Sequence, residues 1–303
     1  MNKLKYHALV LVASCLVAGS FIASEKLAHV ASPLSLTLLR FIGSVVALSP
    51  FILFKPDLRN RFLKTMPRAL IIGFFYAAYF IAMFEALKTS NSLNTGTLYT
   101  IVPFLTGLLS VFFLKQRLPL HKIIVYFIGI TGTVWVIFKG NIDLLSSFSL
   151  NHGDHVFLIA VLCMSLHNIS LKFLYREDNM SLLVLCTLIG GSIWIGITLL
   201  LTGGSLGWNA IQGESMYYML FLIIGPTLIT KYLYQLTSVK LSPSKVSAYI
   251  FLNPALVALI LLFSGLGQIP WIVVPGIAIS TLATFLLQKE YKTKVKNVLN
   301  ALF

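Results

Sequence analysis

Two basic side chains lie inside long apolar stretches of the chain, where a charge is costly. Arg40 lies seven residues into the stretch 33–54, and Lys231 lies fifteen residues into the stretch 216–236. Charged groups at such positions usually face a cavity or a partner. The planar guanidinium of Arg40 suits a carboxylate or phosphate; the alternative is a structural arginine that binds helix ends or headgroups. Lys231 is either an anion contact or a snorkelling lysine whose stem reaches toward the membrane surface.

Two other ionisable side chains are candidates for proton coupling. Glu85 is the one acid that the pattern places within an apolar stretch, and it lies three residues before Lys88. It is either a proton-coupling carboxyl or a helix-end carboxylate that pairs with Lys88. His167 lies in the middle of the stretch 156–174. An imidazole there can carry a proton near neutral pH, or it can be a hydrogen-bonded packing residue.

Aromatic and amide side chains form a second set of candidates for contact with a solute. Several of them precede Pro103 and Pro254, and a proline frees the carbonyl one turn earlier. A freed carbonyl in a membrane must find a partner or line a wet cavity; the alternative for the rings is ordinary aromatic packing. The candidates are Tyr76, Tyr79, Phe80, Tyr99, Tyr234, Gln235, Tyr249 and Asn253.

The sequence gives little support to metal binding, ATP hydrolysis or catalysis. The segment 151–155 contains two histidines and Asp154, which we interpret as loop polarity or a helix cap, because a third spaced metal ligand is missing. A phosphate-binding glycine motif is missing as well, which argues against an ATP-driven pump. We therefore predict no metal, no cofactor and no enzymatic activity.

The composition predicts an integral membrane protein. Hydrophobic residues make up 57% of the 303 residues and charged residues only 11%, whereas soluble domains have roughly 25% charged residues. The mean hydropathy is +0.89. So few charges cannot cover the surface of a water-soluble globule, and we expect the lipid bilayer to surround the protein.

Ten stretches are long and apolar enough to cross the bilayer as helices, which need roughly 20 residues each. The runs are continuous, whereas a barrel would show short alternating segments. We therefore predict an all-α membrane protein with ten transmembrane helices. The predicted spans are 6–24, 33–54, 69–87, 93–114, 120–138, 156–174, 181–201, 216–236, 246–263 and 270–287.

The basic residues predict the orientation. With ten alternating spans, 18 Lys and Arg residues fall on the side of the termini and three on the other side. Basic loops remain in the cytoplasm, so we expect both termini there, in a multi-pass protein of the bacterial inner membrane. The formal net charge of +14 is explained by this topology, and no nucleic-acid partner is expected. Residues 289–303 form a basic cytoplasmic tail.

The two halves of the chain resemble one another. Pro103 and Pro254 match at an offset of 151 residues, and the same offset relates Pro119 to Pro270. A repeat of half the chain length indicates duplication. Each half has five spans, an odd number, so the halves are expected to enter the membrane in opposite directions, as in many transporters. We predict two inverted five-helix repeats, 1–147 and 148–288.

Over essentially the whole chain, the sequence resembles the EamA-type branch of the drug/metabolite transporter superfamily. The stretches that carry the resemblance lie in both halves; they are 34–41 with Arg40-Phe41, 86–88, 93–103, 115–118, 234–236, 242–243 and 253–254. Two departures concern loops at the membrane surface: Gln116 stands where the family usually has an acid, and 264–268 lacks the second-half motif. The resemblance implies a secondary carrier, often an exporter of amino acids or other small metabolites, with a central cavity lined by the third, fourth, eighth and ninth helices.

These observations together predict a secondary transporter, an exporter of small metabolites such as amino acids, that works by alternating access. Arg40 or Lys231 would bind an anionic group, and the tyrosines and Asn253 would fit the body of the solute. The partners expected are a small-molecule solute and, through Glu85 or His167, a coupled proton; the protein is a monomer or a homodimer. The alternative is a flippase for a lipid-linked substrate.

Overall fold

The structure is a computed structural model that describes residues 3–115, 118–141, 143, 150–241, 243–266 and 268–288. Within these ranges all regular structure is helical, and ten helices are long and apolar enough to cross a membrane. The predicted all-α membrane fold with ten spans is therefore confirmed. The predicted tail 289–303 and Gln116 lie outside the described residues.

We number the ten membrane-spanning helices α1 to α10. Six of them are continuous α-helices: α1 (Lys3–Leu27), α2 (Pro33–Leu53), α3 (Pro56–Ala86), α5 (Leu120–Ile137), α6 (His152–Leu174) and α7 (Met180–Thr202). The other four change helix type along their length: α4 (Ser92–Leu98, Tyr99–Ile101, Val102–Leu114), α8 (Glu214–Leu222, Ile223–Ile229, Thr230–Leu241), α9 (Pro243–Ser247, Ala248–Leu252, Asn253–Ser264) and α10 (Trp271–Val273, Val274–Gln288).

Helix α3 is longer than the sequence predicted. It begins at Pro56 and has 31 residues, about 46 Å at 1.5 Å per residue, which exceeds the hydrocarbon thickness of about 30 Å. Pro56 starts the helix because proline suits the first helical position. The basic residues of this region, from Arg59 to Arg68, therefore lie on a helix and not in a loop. Hydropathy had located only the apolar part of this helix.

Helices α4 and α9 are irregular at matching positions. In each of them a short 3-10 segment, Tyr99–Ile101 or Ala248–Leu252, comes directly before the proline-containing α-helical part. Proline has no N–H to donate to the preceding turn, so carbonyls are freed there. Helix α10 donates to two carbonyls in this part of α9: the Ser280 hydroxyl donates to Phe251 O at 2.9 Å, and the Thr284 hydroxyl donates to Ala248 O at 3.0 Å.

Helix α8 is irregular in a different way. Its middle part, Ile223–Ile229, is a π-helix that contains Pro226. The Thr227 hydroxyl donates to Leu222 O at 2.8 Å, five residues earlier. π segments often occur at functional sites, and this one brings Thr227 into the interior of the bundle, where it is fully buried.

The helices pack in reciprocal pairs. Helix α3 lies against α6 and α7, and α4 lies against α6; in the other half α8 lies against α1 and α2, and α9 lies against α1. Helix α2 also packs on α7, and α5 on α10. If the first five helices are exchanged with the last five, this set of contacts maps onto itself, as a duplicated chain predicts.

Two of these pairs approach through glycine. A Cβ atom built on Gly73 of α3 would lie 2.6 Å from Thr187 O and 2.7 Å from Gly191 N of α7. A Cβ atom on Gly132 of α5 would lie 2.6 Å from Ser280 N of α10. Small residues permit such close contact between backbones in membranes, so the backbones of α3 and α7 and those of α5 and α10 are in contact at these crossings.

Carboxylates tie the ends of the bundle. Asp178, between α6 and α7, forms a two-pronged ion pair with Arg68 of α3, with N–O distances of 2.7 and 2.9 Å. At the opposite end of α3, Asp154 of α6 accepts from the Ser90 hydroxyl at 2.6 Å, and Glu25 of α1 accepts from Ser92 N at 3.0 Å. These acids hold α1, α3, α4, α6 and α7 together at both ends.

We expect Gly73→Ala to lower the free energy of unfolding by about 1–3 kcal/mol, because the added methyl group meets the backbone of α7 and cannot displace it cheaply. Gly196→Ala is the matched control, since nothing lies within 4 Å of a Cβ at Gly196. Thermal unfolding of the purified variants in detergent measures both. Equal stability of the two variants would contradict the close α3–α7 crossing.

Candidate functional site

Arg40 lies in the middle of the bundle, where it is 1% exposed. Its Nε donates a hydrogen bond to Thr227 Oγ1 of α8 at 2.8 Å, and its guanidinium carbon lies 4.0 Å from the centre of the Phe80 ring of α3. One turn further along α2, the Ser44 hydroxyl bonds to both Arg40 O and Ile223 O. Arg40 is therefore fixed between three helices and does not reach toward headgroups.

The guanidinium of Arg40 is only partly satisfied. Its Nη1 atom is buried and has no hydrogen-bond partner, and no carboxylate among the described residues forms an ion pair with it. A buried charge without an anion costs several kcal/mol. The free donor faces the interior of a membrane protein, so the geometry is suited to a bound carboxylate or phosphate.

Lys231 contacts the same group of side chains. Its Nζ atom lies 3.8 Å from the centre of the Tyr76 ring and 3.4 Å from His167 Nε2. The lysine is partly buried and points inward, so it is not a snorkelling residue. As with Arg40, no carboxylate of the described residues pairs with it.

The structure determines which ring nitrogen of His167 carries the proton. Its Nδ1 atom lies 3.1 Å from Ile72 O, and because a carbonyl only accepts, Nδ1 carries the proton. In the neutral ring Nε2 then presents a lone pair to Lys231. The ring also stacks on Tyr76, with centroids 4.5 Å apart. His167 is thus hydrogen-bonded and packed, and it is also the nearest base to Lys231.

Arg40 of α2 and Lys231 of α8 meet at one face of α8. Thr227, which binds Arg40, precedes Lys231 by four residues, and such positions are neighbours on a helix, with Cβ atoms about 5–6 Å apart. The rings that they contact, Phe80 and Tyr76, are themselves 4.9 Å apart. The two cations therefore contact neighbouring side chains of α3 and α8.

A continuous aromatic wall borders the cations. Tyr76 stacks on Phe41 at 5.5 Å, Tyr79 contacts Phe80 at 4.7 Å, and Tyr79 contacts Tyr99 of α4 at 6.0 Å. The wall joins α2, α3 and α4 in one cluster. We call Arg40, Lys231, His167 and these five rings the central cluster.

Other predicted residues lie apart from these contacts. The Tyr234 hydroxyl lies 3.4 Å from that of Ser14, and the Tyr249 hydroxyl lies 2.8 Å from His7 Nδ1, so both line the boundary between α1 and the α8–α9 pair. Asn253 is 1% exposed, and neither atom of its amide has a partner. Gln235 is on α8, but its side chain lies outside the described residues.

Glu85 is not near the central cluster. It lies at the carboxyl-terminal end of α3, where Lys88 Nζ donates to it at 2.7 Å, and both side chains are more than a third exposed. This arrangement agrees with the helix-end ion pair that the sequence left open.

Most of the central cluster is buried in this structure. Arg40, the five rings and His167 are each less than a tenth exposed, and Lys231 is half-buried. A solute therefore reaches the buried members only if helices separate.

Sequence reasoning missed three residues of the site. Thr227 and Ser44 position Arg40, and Phe41 positions Tyr76. None of the three carries a charge that would mark it in an apolar stretch. Thr227 does leave a signal, because it follows a proline within an apolar stretch and precedes Lys231 by four residues. Ser44 stands four residues after Arg40, but that spacing alone does not distinguish it from ordinary helix packing.

Part of the chain is similar to a known protein family. Residues 4–138 match the EamA-like transporter family. This match agrees with the resemblance noted in the sequence, and it covers four of the ten membrane-spanning helices and most of a fifth.

Two other proteins are similar over longer stretches. The chain is 21% identical over 204 residues to an uncharacterized transporter, YyaM, of Bacillus subtilis strain 168, and the match covers 67% of each protein. A solved crystal structure shares the fold with a TM-score of 0.63 and 17% identity, over 97% of this chain and 99% of that one. The chain thus has the same fold as this protein of known structure over nearly its whole length.

We expect Thr227→Val to destabilise the transporter by about 1–3 kcal/mol, because it leaves a buried, charged N–H of Arg40 without an acceptor. Thr227→Ser keeps the hydroxyl and should stay close to the wild type. Unfolding of both variants in detergent measures the difference. If valine and serine behave alike, the bond between Arg40 and α8 contributes nothing to stability.

Proposed function

We propose that this transporter is a secondary carrier that exports small metabolites such as amino acids by alternating access. The observation that carries the proposal is a pair of interior cations. Arg40 of α2 is bonded to Thr227 of α8, and Lys231 lies one turn after Thr227 on α8. Neither cation forms an ion pair with a carboxylate of the described residues. A binding site for an anionic group explains why the chain keeps two costly charges in a membrane.

The solute proposed has a carboxylate and a small apolar or polar body. The carboxylate binds the free Nη1 of Arg40 and the ammonium of Lys231, and the body lies against Tyr76, Tyr79 and Phe80. Charge-assisted bonds of this kind are worth about 1.5–3 kcal/mol each. Asn253, with its unpartnered amide, is a further candidate for the polar part of the solute.

Alternating access is supported by the buried cluster and by the reciprocal packing. The halves proposed are residues 1–147 and 148–288, inverted because each has five spans. Helices α1, α2, α3, α6, α7 and α8 meet across the boundary between the halves. Rocking of one half against the other would open the cluster first to one side and then to the other.

The direction and the location of transport are also part of the proposal. The distribution of basic residues supports cytoplasmic termini in a bacterial inner membrane. The resemblance to EamA-type carriers supports export of metabolites.

A binding experiment tests the solute class. The panel consists of the twenty amino acids and the hydroxy acids that correspond to them, and thermal stabilisation of the purified protein is the readout. We expect at least one member to bind, and Arg40→Gln or Lys231→Gln to weaken its binding by about 10-fold to 100-fold.

Lys26→Gln is the matched control for that experiment, because Lys26 is exposed at the end of α1. It removes one positive charge and should leave binding unchanged. Binding that is unaffected by the Arg40 and Lys231 substitutions would refute the proposed site.

The orientation is tested with engineered thiols. Thr89 and Arg59 are exposed at opposite ends of α3, and each is replaced by cysteine in a separate variant. The natural cysteines Cys15, Cys163 and Cys186 are replaced by alanine in both. We expect a membrane-impermeant maleimide to label Thr89→Cys in intact cells and Arg59→Cys only after lysis. The reverse pattern would place the termini outside the cytoplasm.

A flippase for a lipid-linked substrate is a second candidate, favoured by one observation. An apolar groove on the outside of the bundle lies between α2 and α7, lined among others by Leu38, Ile42 and Ile193. Such a groove suits an acyl chain next to the helix that carries Arg40. Flipping of a fluorescent lipid in vesicles, without transport of any panel solute, would favour this function.

A further inference from the structure

The pair formed by Lys231 and His167 has a geometry suited to sharing a proton. Lys231 Nζ lies 3.4 Å from His167 Nε2, and the opposite ring nitrogen is fixed as a donor by Ile72 O at 3.1 Å. Nε2 is therefore an acceptor when the ring is neutral. The stack between His167 and Tyr76 holds the ring in this orientation.

The groups around this pair offer no permanent counter-charge among the described residues. Helix α2 contributes Arg40, a second cation; α3 contributes the neutral phenols of Tyr76 and Tyr79; and α4 contributes Tyr99. Helix α1, which packs along α8, places Ser14 against Tyr234, and its acid, Glu25, is engaged at the far end of that helix by Ser92 N.

This arrangement ties the charge of Lys231 to the occupancy of the site. With the site empty, an ammonium beside Arg40 in an apolar interior is unfavourable. The cost is relieved if Lys231 releases its proton, and it is also relieved if an anion arrives. The carboxylate of a solute therefore favours the protonated lysine.

We propose that Lys231 and His167 form a proton-loading pair, so that the transporter takes up a proton when it binds the carboxylate of a solute and moves the two together. In the direction of export, the concentration gradient of the solute then drives the proton. In the loaded state Lys231 is an ammonium that donates to the carboxylate and to His167 Nε2. When the solute leaves, the Nζ–H bond breaks and the proton passes to Nε2 or directly to water; an imidazolium formed in this way then loses its Nε2 proton to water. The cycle begins and ends with a neutral lysine and a neutral histidine.

This inference rests on the proposed solute site, and proton counting during binding tests it. Binding of L-leucine, L-threonine, L-phenylalanine and L-lactate to the purified full-length protein is measured by calorimetry near neutral pH in two buffers of different ionisation enthalpy. The difference between the buffers gives the protons taken up. We expect about one proton for each bound solute, and an affinity that falls as the pH rises through the range in which Lys231 loses its proton.

Lys231→Arg separates coupling from charge, because arginine keeps the cation and does not release a proton in proteins. We expect this variant to bind with no proton uptake and with an affinity independent of pH. Lys88→Arg, in an exposed pair outside the cluster, is the control and should behave as the wild type does.

Three outcomes would overturn the inference, and they are distinguishable. Binding to the wild type without proton uptake refutes the proton-loading pair and leaves the proposed function intact. Equal proton uptake by Lys231→Arg places the coupling site elsewhere. Failure of all four probes to bind contradicts the proposed solute class, and the proton-loading pair then loses its basis as well.

Discussion

The structure is organised around two positive charges that have to be kept inside a membrane. Arg40 and Lys231 lie among aromatic rings, and the described residues offer hydroxyls, ring faces and an imidazole to them but no carboxylate. Ring faces and neutral acceptors offset only part of the cost of desolvating a cation. The part of the desolvation cost that is not offset favours the binding of an anion. This unbalanced charge distinguishes a binding site from a structural ion pair such as Arg68–Asp178, where both partners are present.

Departures from regular helix supply the polar atoms that the cations need. The π segment of α8 brings Thr227 to Arg40, and the 3-10 segments of α4 and α9 lie directly before Pro103 and Pro254. A regular α-helix keeps its backbone groups bonded to itself and offers little to a solute in lipid. Hydroxyl groups from α10 bond to the 3-10 segment of α9, and Thr227 of the π segment accepts a hydrogen bond from Arg40 inside the bundle.

Ion pairs and hydrogen bonds hold the helices together at both ends of the bundle. These contacts affect how the bundle can open. Asp178 holds α3 to the α6–α7 connection at one end, and Asp154 and Glu25 hold the start of α4 at the other. In the proposed alternating-access cycle, one set of these contacts breaks while the other is kept. The glycine crossings of α3 with α7 and of α5 with α10 are rigid by comparison, because their backbones are already in contact.

The sequence by itself determined the class of fold, the ten spans and the candidate cations. Apolar length and basic residues are properties of the chain that no packing can change, and an arginine or lysine is conspicuous in an apolar run. The sequence could not decide whether Lys231 snorkels, whether Glu85 joins the site, or which neutral residues complete it, since these depend on which helix faces meet. Tertiary structure alone brought Thr227 to Arg40 and His167 to Lys231, across 187 and 64 residues of chain, because packing of α2, α3, α6 and α8 fixes distances that spacing along one helix does not contain.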